Sequence, residues 1–397
     1  MDFPTEIVCE GEVKVLVPKL EAFVKSLSKA PVFYNPVMEF NRDLAVLALQ
    51  AYQRTVNCEI TVCEPLAGCG VRGIRFAKEV KGIKNVLIND INPKAFKLAK
   101  CNVEINGLGG CITVKNEDAN FLLSGYGAPR KRFDAIDVDP FGSPVPYLDS
   151  AIRALKDRGF LALTATDTAP LCGVYPKACM RKYGGKPLRT EYCHELAVRL
   201  LVGCLATTAA KHDMGVNVLF SHSTDHYVRL YAKIEHGAKK ADASLENMGY
   251  VLHCFDCFHR ETIKEPFHHS GKCGECGSKL GVAGPLWLGK IVDGNFCSLM
   301  MEELRKRTFR LREKLEKILN LTRSEADAPI TYYVIDKICD KLAMPTPPIK
   351  KVCEALENEG FQATLTHFTF KGLRTNASAT AITKLLRRTY ANMTSFK

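Results

Sequence analysis

Residues 60–73, ITVCEPLAGCGVRG, decide how the first half of this chain folds. The β-branched run Ile60–Glu64 predicts a strand, and Gly68, Gly70 and Gly73 form G-x-G-x-x-G between that strand and a helix. Glycines at these positions permit a tight turn and bring the backbone and the helix N-terminus close to a ligand. The stretch therefore predicts a nucleotide-type cofactor loop, although a structural turn would explain an isolated triplet.

Strand and helix patterns alternate beyond this loop. Further strands are predicted at 85–90, 111–115, 133–139 and 159–166, with helices at 94–106 and 147–156. Alternation of this kind predicts a parallel sheet with helices on both faces. After a long helix predicted at Thr190–Lys211, Val216–Ser221 and Tyr227–Ile234 predict an antiparallel hairpin that ends the sheet.

Acidic residues follow three successive strands. Glu64 ends the first strand, Asp90 the second, and Asp118 comes shortly after the third. A dinucleotide pyrophosphate would be repelled by Glu64, whereas the methionine ammonium group of S-adenosylmethionine would be attracted. The set favours S-adenosylmethionine, with Asp90 facing the ribose and Asp118 the adenine. Each acid taken singly is equally well explained as a solvated strand-end residue.

The fourth predicted strand ends in Asp139-Pro140-Phe141-Gly142. Ligands of open α/β folds bind at this edge of the sheet, and the motif resembles the [DNS]-P-P-[FYW] motif of methyltransferases that modify exocyclic amines. The lone pair of a nucleobase amine is conjugated with the ring, so a carboxylate that accepts its N–H proton favours attack by nitrogen. Pro140 would fix the backbone, and Phe141 would stack on an extruded base. The alternative is a helix-capping Asp followed by a structural turn.

Six segments together carry a more specific resemblance, from about residue 5 to 390. They are Phe33-Tyr34-Asn35-Pro36, Asn41-Arg42-Asp43, EPLAGCGVRGIRFA, NDINPKA, DVDPFGSP and a downstream cysteine module. They resemble the tRNA guanine-26 N2-dimethyltransferase family, in its archaeal branch. The resemblance implies a class I S-adenosylmethionine-dependent methyltransferase fold, Rossmann-like, and methyl transfer to N2 of guanine 26 of tRNA, giving N2,N2-dimethylguanosine.

The resemblance also assigns roles to residues of this chain. By it, Arg42 and Arg72 contact the cofactor, Asp90 its ribose, Asp118 and Ala119 its adenine, and Asp139 accepts the amine proton. Read without the resemblance, Arg42 is a salt-bridged helix residue and Arg72 a solvated one. We expect the target guanine to be extruded from the RNA, with Phe141 or an N-terminal aromatic such as Tyr34 as its stacking partner.

Cysteines at 254, 257, 273 and 276 have the two-knuckle spacing of a structural zinc site, C-x2-C-x15-C-x2-C. His253, His259, His268 and His269 lie nearby and are alternative ligands. Unpaired thiols or a redox disulfide are the other interpretations of the four cysteines. The chain has 17 cysteines, and the remainder, including Cys172, Cys193 and Cys204, are expected to be packing residues.

The composition bounds the class of protein. With 397 residues and 46% apolar residues, the chain has enough material for a sizeable core and is not wholly disordered. Its net charge is +12, and residues 301–397 hold 18 Lys and Arg against 11 Asp and Glu. A basic end indicates a polyanionic partner, here tRNA, but a solvated surface explains the charge as well.

Two domains are predicted: the methyltransferase domain at 1–240 and a C-terminal α+β domain at 241–397. The second contains the zinc module (about 250–280) and a basic winged-helix-like RNA-binding unit (about 300–397). Within that unit, the helix predicted at Glu302–Leu319 is expected to be a solvated connector with an apolar stripe through Leu304, Leu311, Leu315 and Ile318. A glycine-broken loop after the fifth strand is also expected to bind RNA. The predicted RNA contacts are Arg181, Lys182, Lys186 and Arg189 in that loop, and Lys350, Lys351, Lys371 and Arg374 in the unit.

Two other functions remain open at this point. One is a zinc-containing NAD-dependent oxidoreductase, and the other is a non-catalytic RNA-binding zinc protein. The odd number of cysteines and the absence of a signal-peptide pattern predict a cytoplasmic protein. No membrane span is expected, because no uncharged apolar run of about 18 residues occurs. No obligate protein partner is evident from the sequence.

Overall fold

A computed structural model describes residues 1–19, 30–266 and 269–390 of the chain. It begins with a hairpin of strands β1 (Thr5–Glu10) and β2 (Val13–Pro18). Helix α1 (Glu39–Val56) follows, and almost every residue of its first four turns is buried. This N-terminal segment packs on the central sheet and contributes Val13, Leu44 and Leu47 to the core.

The central sheet has seven strands in the order β5-β4-β3-β6-β7-β9-β8. The strands are β3 (Ile60–Glu64), β4 (Ile83–Asn89), β5 (Ile112–Lys115), β6 (Phe133–Val138), β7 (Leu155–Ala165), β8 (Met214–Thr224) and β9 (Tyr227–His236). The helices between them are α2 (Val71–Glu79), α3 (Pro93–Ile105), α4 (Ala119–Gly125), α5 (Leu148–Arg153), α6 (Thr168–Leu171), α7 (Pro176–Tyr183) and α8 (Cys193–Ala210). The first five strands are parallel, while β9 pairs antiparallel with both β7 and β8. The Rossmann-like sheet with a terminal antiparallel hairpin is therefore confirmed.

Helix α8 is the most apolar helix of the fold. Within the described part of the chain, it alone is long and apolar enough to cross a membrane by length and composition, with a mean hydropathy of 1.3. Its window is 67% buried inside the structure, as in the core helix of a globular protein. It also carries the buried charged residues Glu195 and Arg199.

The second half of the chain adds two small sheets and several helices. These elements are α9 (Ala238–Leu245), β10 (Met248–Cys254), β11 (Arg260–Ile263), β12 (Leu280–Trp287), α10 (Gly294–Arg305), α11 (Arg312–Ser324), β13 (Tyr333–Val334), α12 (Ile335–Lys341), α13 (Ile349–Asn358), β14 (Ala363–Leu365), β15 (Gly372–Thr375) and α14 (Ala379–Tyr390). The sheets have the orders β11-β10-β12 and β13-β15-β14, and both are antiparallel.

The buried core changes at Tyr332. One continuous cluster of buried side chains runs from Val13 to Tyr332 and includes residues on both sides of position 240. A second cluster, from Tyr333 to Leu386, forms a core of its own. The domain boundary near residue 240 stays a prediction, and we call residues 333–390 the C-terminal unit.

The prediction of a solvated connector at Glu302–Leu319 is wrong. The segment is two helices, α10 and α11, and its apolar residues Leu304 and Leu315 are buried in the main core. Helix α10 packs against α1, and the guanidinium group of Arg307 donates to Gln50 Oε1 over 2.8 Å. The apolar stripe itself is confirmed, since Leu304, Leu315 and Ile318 are the residues that are buried, and what fails is the expectation that the segment is a solvated connector.

Candidate active site

The loop between β3 and α2 has the geometry that its glycines predict. Gly68 and Gly70 have φ values of +56° and +78°, in the left-handed region that favours glycine. At Gly73 there is no room for a side chain, since a Cβ atom would lie 2.7 Å from Ile88 and 2.9 Å from Glu64 Oε2. The backbone amide of Gly73 donates to that same carboxylate oxygen over 2.8 Å. The loop is thus closely packed onto the end of β3, with its backbone next to the strand-end carboxylate.

Asp90, after β4, is fixed by two backbone amides. Its Oδ2 accepts from the amide of Gly68 over 2.8 Å, and its Oδ1 accepts from the amide of Asn92 over 2.9 Å. Partial burial raises the pKa of this carboxyl above its ordinary value, against these two bonds. Because each carboxylate oxygen has a second lone pair, Asp90 is able to accept two further hydrogen bonds.

The next strand end carries Asp118 and Ala119. Asp118 is exposed and caps α4, accepting from the amide of Phe121 over 3.0 Å, whereas Ala119 is buried. Two large apolar side chains at this edge were missed from the sequence: Ile91 is 62% exposed and Phe121 73% exposed. Their position, one residue after Asp90 and three residues after Asp118, was the signal that could have identified them.

Arg72 joins the cofactor loop to the end of β6. Its guanidinium group forms a close ion pair with Asp139, donates to Asn41 Oδ1 over 2.9 Å, and lies 3.6 Å from an oxygen of Asp137. On its other side, Nε lies 3.6 Å from Glu64 Oε1. The predicted alternative of a solvated Arg72 is wrong, because the side chain is buried at the centre of three carboxylates.

A second buried arginine completes this cluster. Arg229, on β9, forms a bidentate ion pair with Asp137 and donates to Thr164 Oγ1 over 2.7 Å. Burial by itself would raise the pKa of Asp139, but the charges of Arg72 and Arg229 outweigh it and hold that pKa below the ordinary value. Asp139 is therefore ionised at neutral pH and remains partly accessible to solvent.

Glu64 lies in the same cluster but behaves differently. Complete burial raises its pKa to about 8, with the positive charge of Arg72 opposing the shift and the charge of Asp137 adding to it. A cation bound beside Glu64 would reverse this effect by stabilising the carboxylate. A positively charged group next to the glycine loop would therefore be stabilised by the Glu64 carboxylate.

The chain turns sharply after Asp139. Gly142 has a φ of +78°, and its amide donates to Thr166 Oγ1 over 2.7 Å while its carbonyl accepts from the Thr166 amide over 2.9 Å. Pro140 is buried, whereas Phe141 is 73% exposed. The ring of Phe141 contacts that of Phe33 edge to face, with centroids 4.8 Å apart. Two accessible aromatic rings thus lie at the turn that follows Asp139.

Tyr34 and Arg42 belong instead to a buried cluster around Glu10. Arg42 donates to both oxygens of Glu10 over 2.5 Å, and the Tyr34 hydroxyl donates to Glu10 over 3.1 Å. Tyr34 is buried, so it is not accessible to a base, and of these two N-terminal aromatic residues it is Phe33 that is exposed and contacts Phe141. Contact of Arg42 with a cofactor remains a prediction, since the structure shows it as the salt-bridged helix residue.

The first predicted RNA surface is part helix and part loop. Arg181 and Lys182 form the last turn of α7, so their placement in a loop was wrong, while Lys186 and Arg189 follow the helix. All four side chains are exposed. Lys182 Nζ lies 2.9 Å from Asp167, just beyond β7. This basic segment therefore borders the same sheet edge as Asp139.

The second predicted RNA surface is the C-terminal unit. Lys350 and Lys351 are exposed in the first turn of α13, and Lys371 is exposed between β14 and β15, paired with Asp336. Phe370, beside Lys371, is 79% exposed. Three of the four predicted basic residues are therefore accessible.

Arg374 is the fourth, and its prediction as an RNA contact is wrong. It lies on β15, the middle strand of its sheet, and is 3% exposed. Its guanidinium group pairs with Glu195 over 2.9 Å and with Glu325 over 2.6 Å. Sequence position did not indicate this, because the two partners lie 179 and 49 residues away.

The four knuckle cysteines meet at one point. The sulfurs of Cys254 and Cys276 are 3.4 Å apart, those of Cys257 and Cys273 are 3.5 Å apart, and all four lie within 4.8 Å of one another. Tetrahedral zinc with thiolate ligands places its sulfurs about 3.8 Å apart, so the donor set and spacing fit zinc. The alternative histidine ligands have other neighbours or lie outside the described residues. His253 packs on Tyr192 and Phe255, His259 pairs with Glu275, and His269 pairs with Glu261, whereas His268 is not described.

Comparison with known proteins agrees with this site. The family model for N2,N2-dimethylguanosine tRNA methyltransferase matches residues 11–387. The tRNA (guanine(26)-N(2))-dimethyltransferase of Methanothermobacter thermautotrophicus is 43% identical over 96% of this chain and 98% of its own length. The tRNA (guanine(26)-N(2)/guanine(27)-N(2))-dimethyltransferase of Aquifex aeolicus is 38% identical over 96% of this chain and 95% of its own. A solved structure of Trm1 from Pyrococcus horikoshii in complex with S-adenosyl-L-methionine aligns with a TM-score of 0.84 and 35% identity, covering 96% of this chain and 99% of that one. This chain belongs to the N2,N2-dimethylguanosine tRNA methyltransferase family.

Proposed function

We propose that this enzyme transfers methyl groups from S-adenosylmethionine to the exocyclic N2 of guanine 26 of tRNA, giving N2,N2-dimethylguanosine. The observation that carries the proposal is the ionised, partly accessible Asp139, which stands between a cofactor-type glycine loop and two accessible aromatic rings. The relatives share this activity by name along nearly the whole chain. Neither an NAD-dependent oxidoreductase nor a non-catalytic zinc protein receives support from them.

The residues at the sheet edge fit S-adenosylmethionine. When bound, this cofactor supplies an electrophilic methyl group on a positively charged sulfur. The backbone at Gly68 and Gly70 and the carboxylates of Glu64 and Asp90 would hold its amino-acid and ribose parts. Asp118 and Ala119 would border the adenine, between the exposed apolar side chains of Ile91 and Phe121. Arg42 and Arg72 would complete the site from the opposite side.

Asp139 would accept a hydrogen bond from the guanine amine and then its proton. A carboxylate with a lowered pKa is a weak base, but an amine that has gained a methyl group while conjugated to a purine is a strong acid. A weak base such as the Asp139 carboxylate is therefore sufficient, and it is ionised throughout the neutral pH range. Arg72 and Arg229 keep the carboxylate ionised and fix its orientation.

Phe33 and Phe141 would hold the extruded guanine. Guanine 26 lies where two stems of tRNA meet, with its N2 in the minor groove, so access to Asp139 requires that the base leave the stack. The two rings already contact each other edge to face, which places apolar surface for a base next to the acceptor.

The tRNA would be held by the α7 segment and the C-terminal unit. Arg181, Lys182, Lys186 and Arg189 would contact phosphates next to the target base. Lys350, Lys351 and Lys371 would contact phosphates farther away, from a winged-helix-like arrangement of α12, α13 and the strand pair β14–β15. The four-cysteine cluster would bind a structural zinc ion, since four thiolates leave no open coordination position. The odd number of cysteines, 17, also supports a reducing, cytoplasmic location.

A direct test compares two tRNA transcripts that differ only at position 26. Full-length protein is incubated with S-adenosylmethionine and either the guanine-26 transcript or its adenine-26 variant, and the nucleosides are analysed by mass spectrometry. We expect N2,N2-dimethylguanosine from the first transcript only. Equal product from both transcripts would contradict the assigned position, and no methylated guanosine from either would contradict the activity.

A further inference from the structure

Two cysteines and a histidine that the sequence left as packing residues meet near the active site. We call Cys172, Cys193 and His194 the second thiol cluster. Their ligand atoms all lie within 4.8 Å of one another, and Cys172 Sγ is 3.8 Å from His194 Nδ1. The second thiol cluster is separate in sequence from the four knuckle cysteines. It has no role in the proposed methyl transfer.

The fold holds each member of the cluster on a defined element. Cys172 caps the C-terminus of α6, where its amide donates to the Thr168 carbonyl over 2.8 Å. Cys193 and His194 are the first two residues of α8, the helix at the centre of the main core. The atoms are therefore brought together by two packed helices, and their spacing does not depend on a loose loop.

The spacing matches what a thiophilic metal ion requires. For tetrahedral zinc, bond lengths of about 2.3 Å to sulfur and about 2.0 Å to nitrogen place a thiolate and an imidazole nitrogen about 3.6 Å apart. The observed 3.8 Å between Cys172 and His194 is close to this value. Ser223 Oγ lies 3.3 Å from His194 Nδ1, so an oxygen atom is also close to the proposed nitrogen ligand. Cys193 and His194 are partly accessible and Cys172 is 9% exposed, whereas the single thiols of Cys179 and Cys297 are fully buried.

The geometry points to a second metal site in this protein, in which Cys172, Cys193 and His194 bind a thiophilic divalent cation such as Zn2+. Binding releases the two thiol protons to solvent, and the imidazole binds in its neutral form. Three protein ligands leave one position for water. The ion would clamp α6 to α8 at the two ends of the segment that carries the basic residues of α7. Six residues before Cys172, Thr166 holds the turn after Asp139, so the clamp would also stiffen one wall of the active site.

The test is the metal content of the full-length protein. The chain is saturated with Zn2+ under anaerobic, reducing conditions, freed of excess ion, and analysed by mass spectrometry. We expect about two ions per chain, one in the four-cysteine cluster and one in the second thiol cluster. Cys172→Ser and His194→Gln are each expected to lose one ion. Cys204→Ser, which changes another thiol on α8 outside the cluster, is expected to keep both.

Two further measurements separate metal loss from misfolding. Circular dichroism of each variant is expected to match the wild type, and Cys276→Ser is expected to remove only the other ion. Substitution with Co2+ is expected to give thiolate-to-metal absorption that falls in Cys172→Ser. A wild-type chain that binds one ion, which Cys172→Ser leaves in place, would overturn the proposal. So would a Cys172→Ser variant that binds two ions under the same reducing conditions, because the second ion would then not depend on Cys172.

Discussion

Arg374 and Lys371 lie three residues apart and carry the same charge, yet their loss is expected to affect different properties. Loss of Arg374 is expected to lower the stability of the fold, and loss of Lys371 to weaken the binding of tRNA. Arg374 belongs to the C-terminal unit and pairs with Glu195 on α8 and with Glu325 after α11, so it ties the unit to the main core. In Arg374→Met, the apolar stem is kept but two buried carboxylates lose a shared partner. Removing one partner of a buried ion pair costs about 3–5 kcal/mol.

Lys371→Met is the matched control. Lys371 is 47% exposed and pairs with Asp336 near the surface, where an ion pair contributes about 0–1 kcal/mol. We expect Arg374→Met to lower the urea midpoint by on the order of 1 M and Lys371→Met to leave it nearly unchanged. Circular dichroism during urea unfolding measures both variants against the wild type.

The salt dependence of tRNA binding gives the opposite pattern. Each lost phosphate contact lowers the slope of log K against log salt by about one unit. We expect that loss for Lys371→Met, and an unchanged slope for Arg374→Met under conditions where it is folded. The burial argument is refuted if Arg374→Met has the same urea midpoint as the wild type and a lower slope of log K against log salt. Arg374 would then be an RNA contact.

Other variants test the active site, the ion pairs and the zinc module. Asp139→Asn is expected to lower methyl transfer by about 10²–10⁴-fold with unchanged cofactor affinity by calorimetry, whereas Asp134→Asn, at the opposite end of β6, keeps full activity. Phe141→Ala is expected to lower turnover by about 5–150-fold, from a stacking energy of about 1–3 kcal/mol, and wild-type turnover would remove its assigned role. Burial of Glu325 would raise its pKa, but His367 and the buried arginine beside it lower that pKa to about 2, below the ordinary value of about 4.3. Stability from this depressed pKa is complete above about pH 4.3 and is lost as the pH falls toward 2, so acid unfolding followed by circular dichroism should begin in that window, and a flat signal there would contradict it. Cys276→Ser is expected to lose the zinc of the knuckle and to expose residues 254–276 to protease, and retention of that zinc would exclude the four-thiolate site.

The sequence was sufficient where local chemistry decides the structure. The glycine loop requires small residues and left-handed backbone, and the turn after Asp139 requires Pro140 and Gly142, so both could be read from letters that are adjacent in the chain. The alternation of strands and helices likewise predicted the central sheet. These features depend on a few neighbouring residues and are nearly independent of distant partners.

Predictions failed where a charged side chain has a partner far along the chain. Arg374 was predicted to lie at the surface, and a solvated side chain was the alternative for Arg72, because positive charge is costly to bury without a partner and the partners are not visible in the local sequence. The second thiol cluster was missed for the same reason, since its cysteines lie 21 residues apart with no motif between them. Among the described basic residues of the C-terminal quarter, Arg374 is buried, whereas most of the others are exposed and keep the positive charge of this part of the chain at its surface.

Arg72 has a mechanical consequence for the enzyme. It lies two residues after Gly70, in the first turn of α2, which follows the glycine loop. Its guanidinium group forms an ion pair with Asp139. If a bound cofactor displaces the loop, this ion pair would transmit the displacement to Asp139, the proposed proton acceptor, without a rearrangement of the sheet. Substitutions in the loop should therefore alter the rate of methyl transfer even where cofactor affinity is preserved, and the acceptor should be correctly oriented for guanine only once the loop is filled.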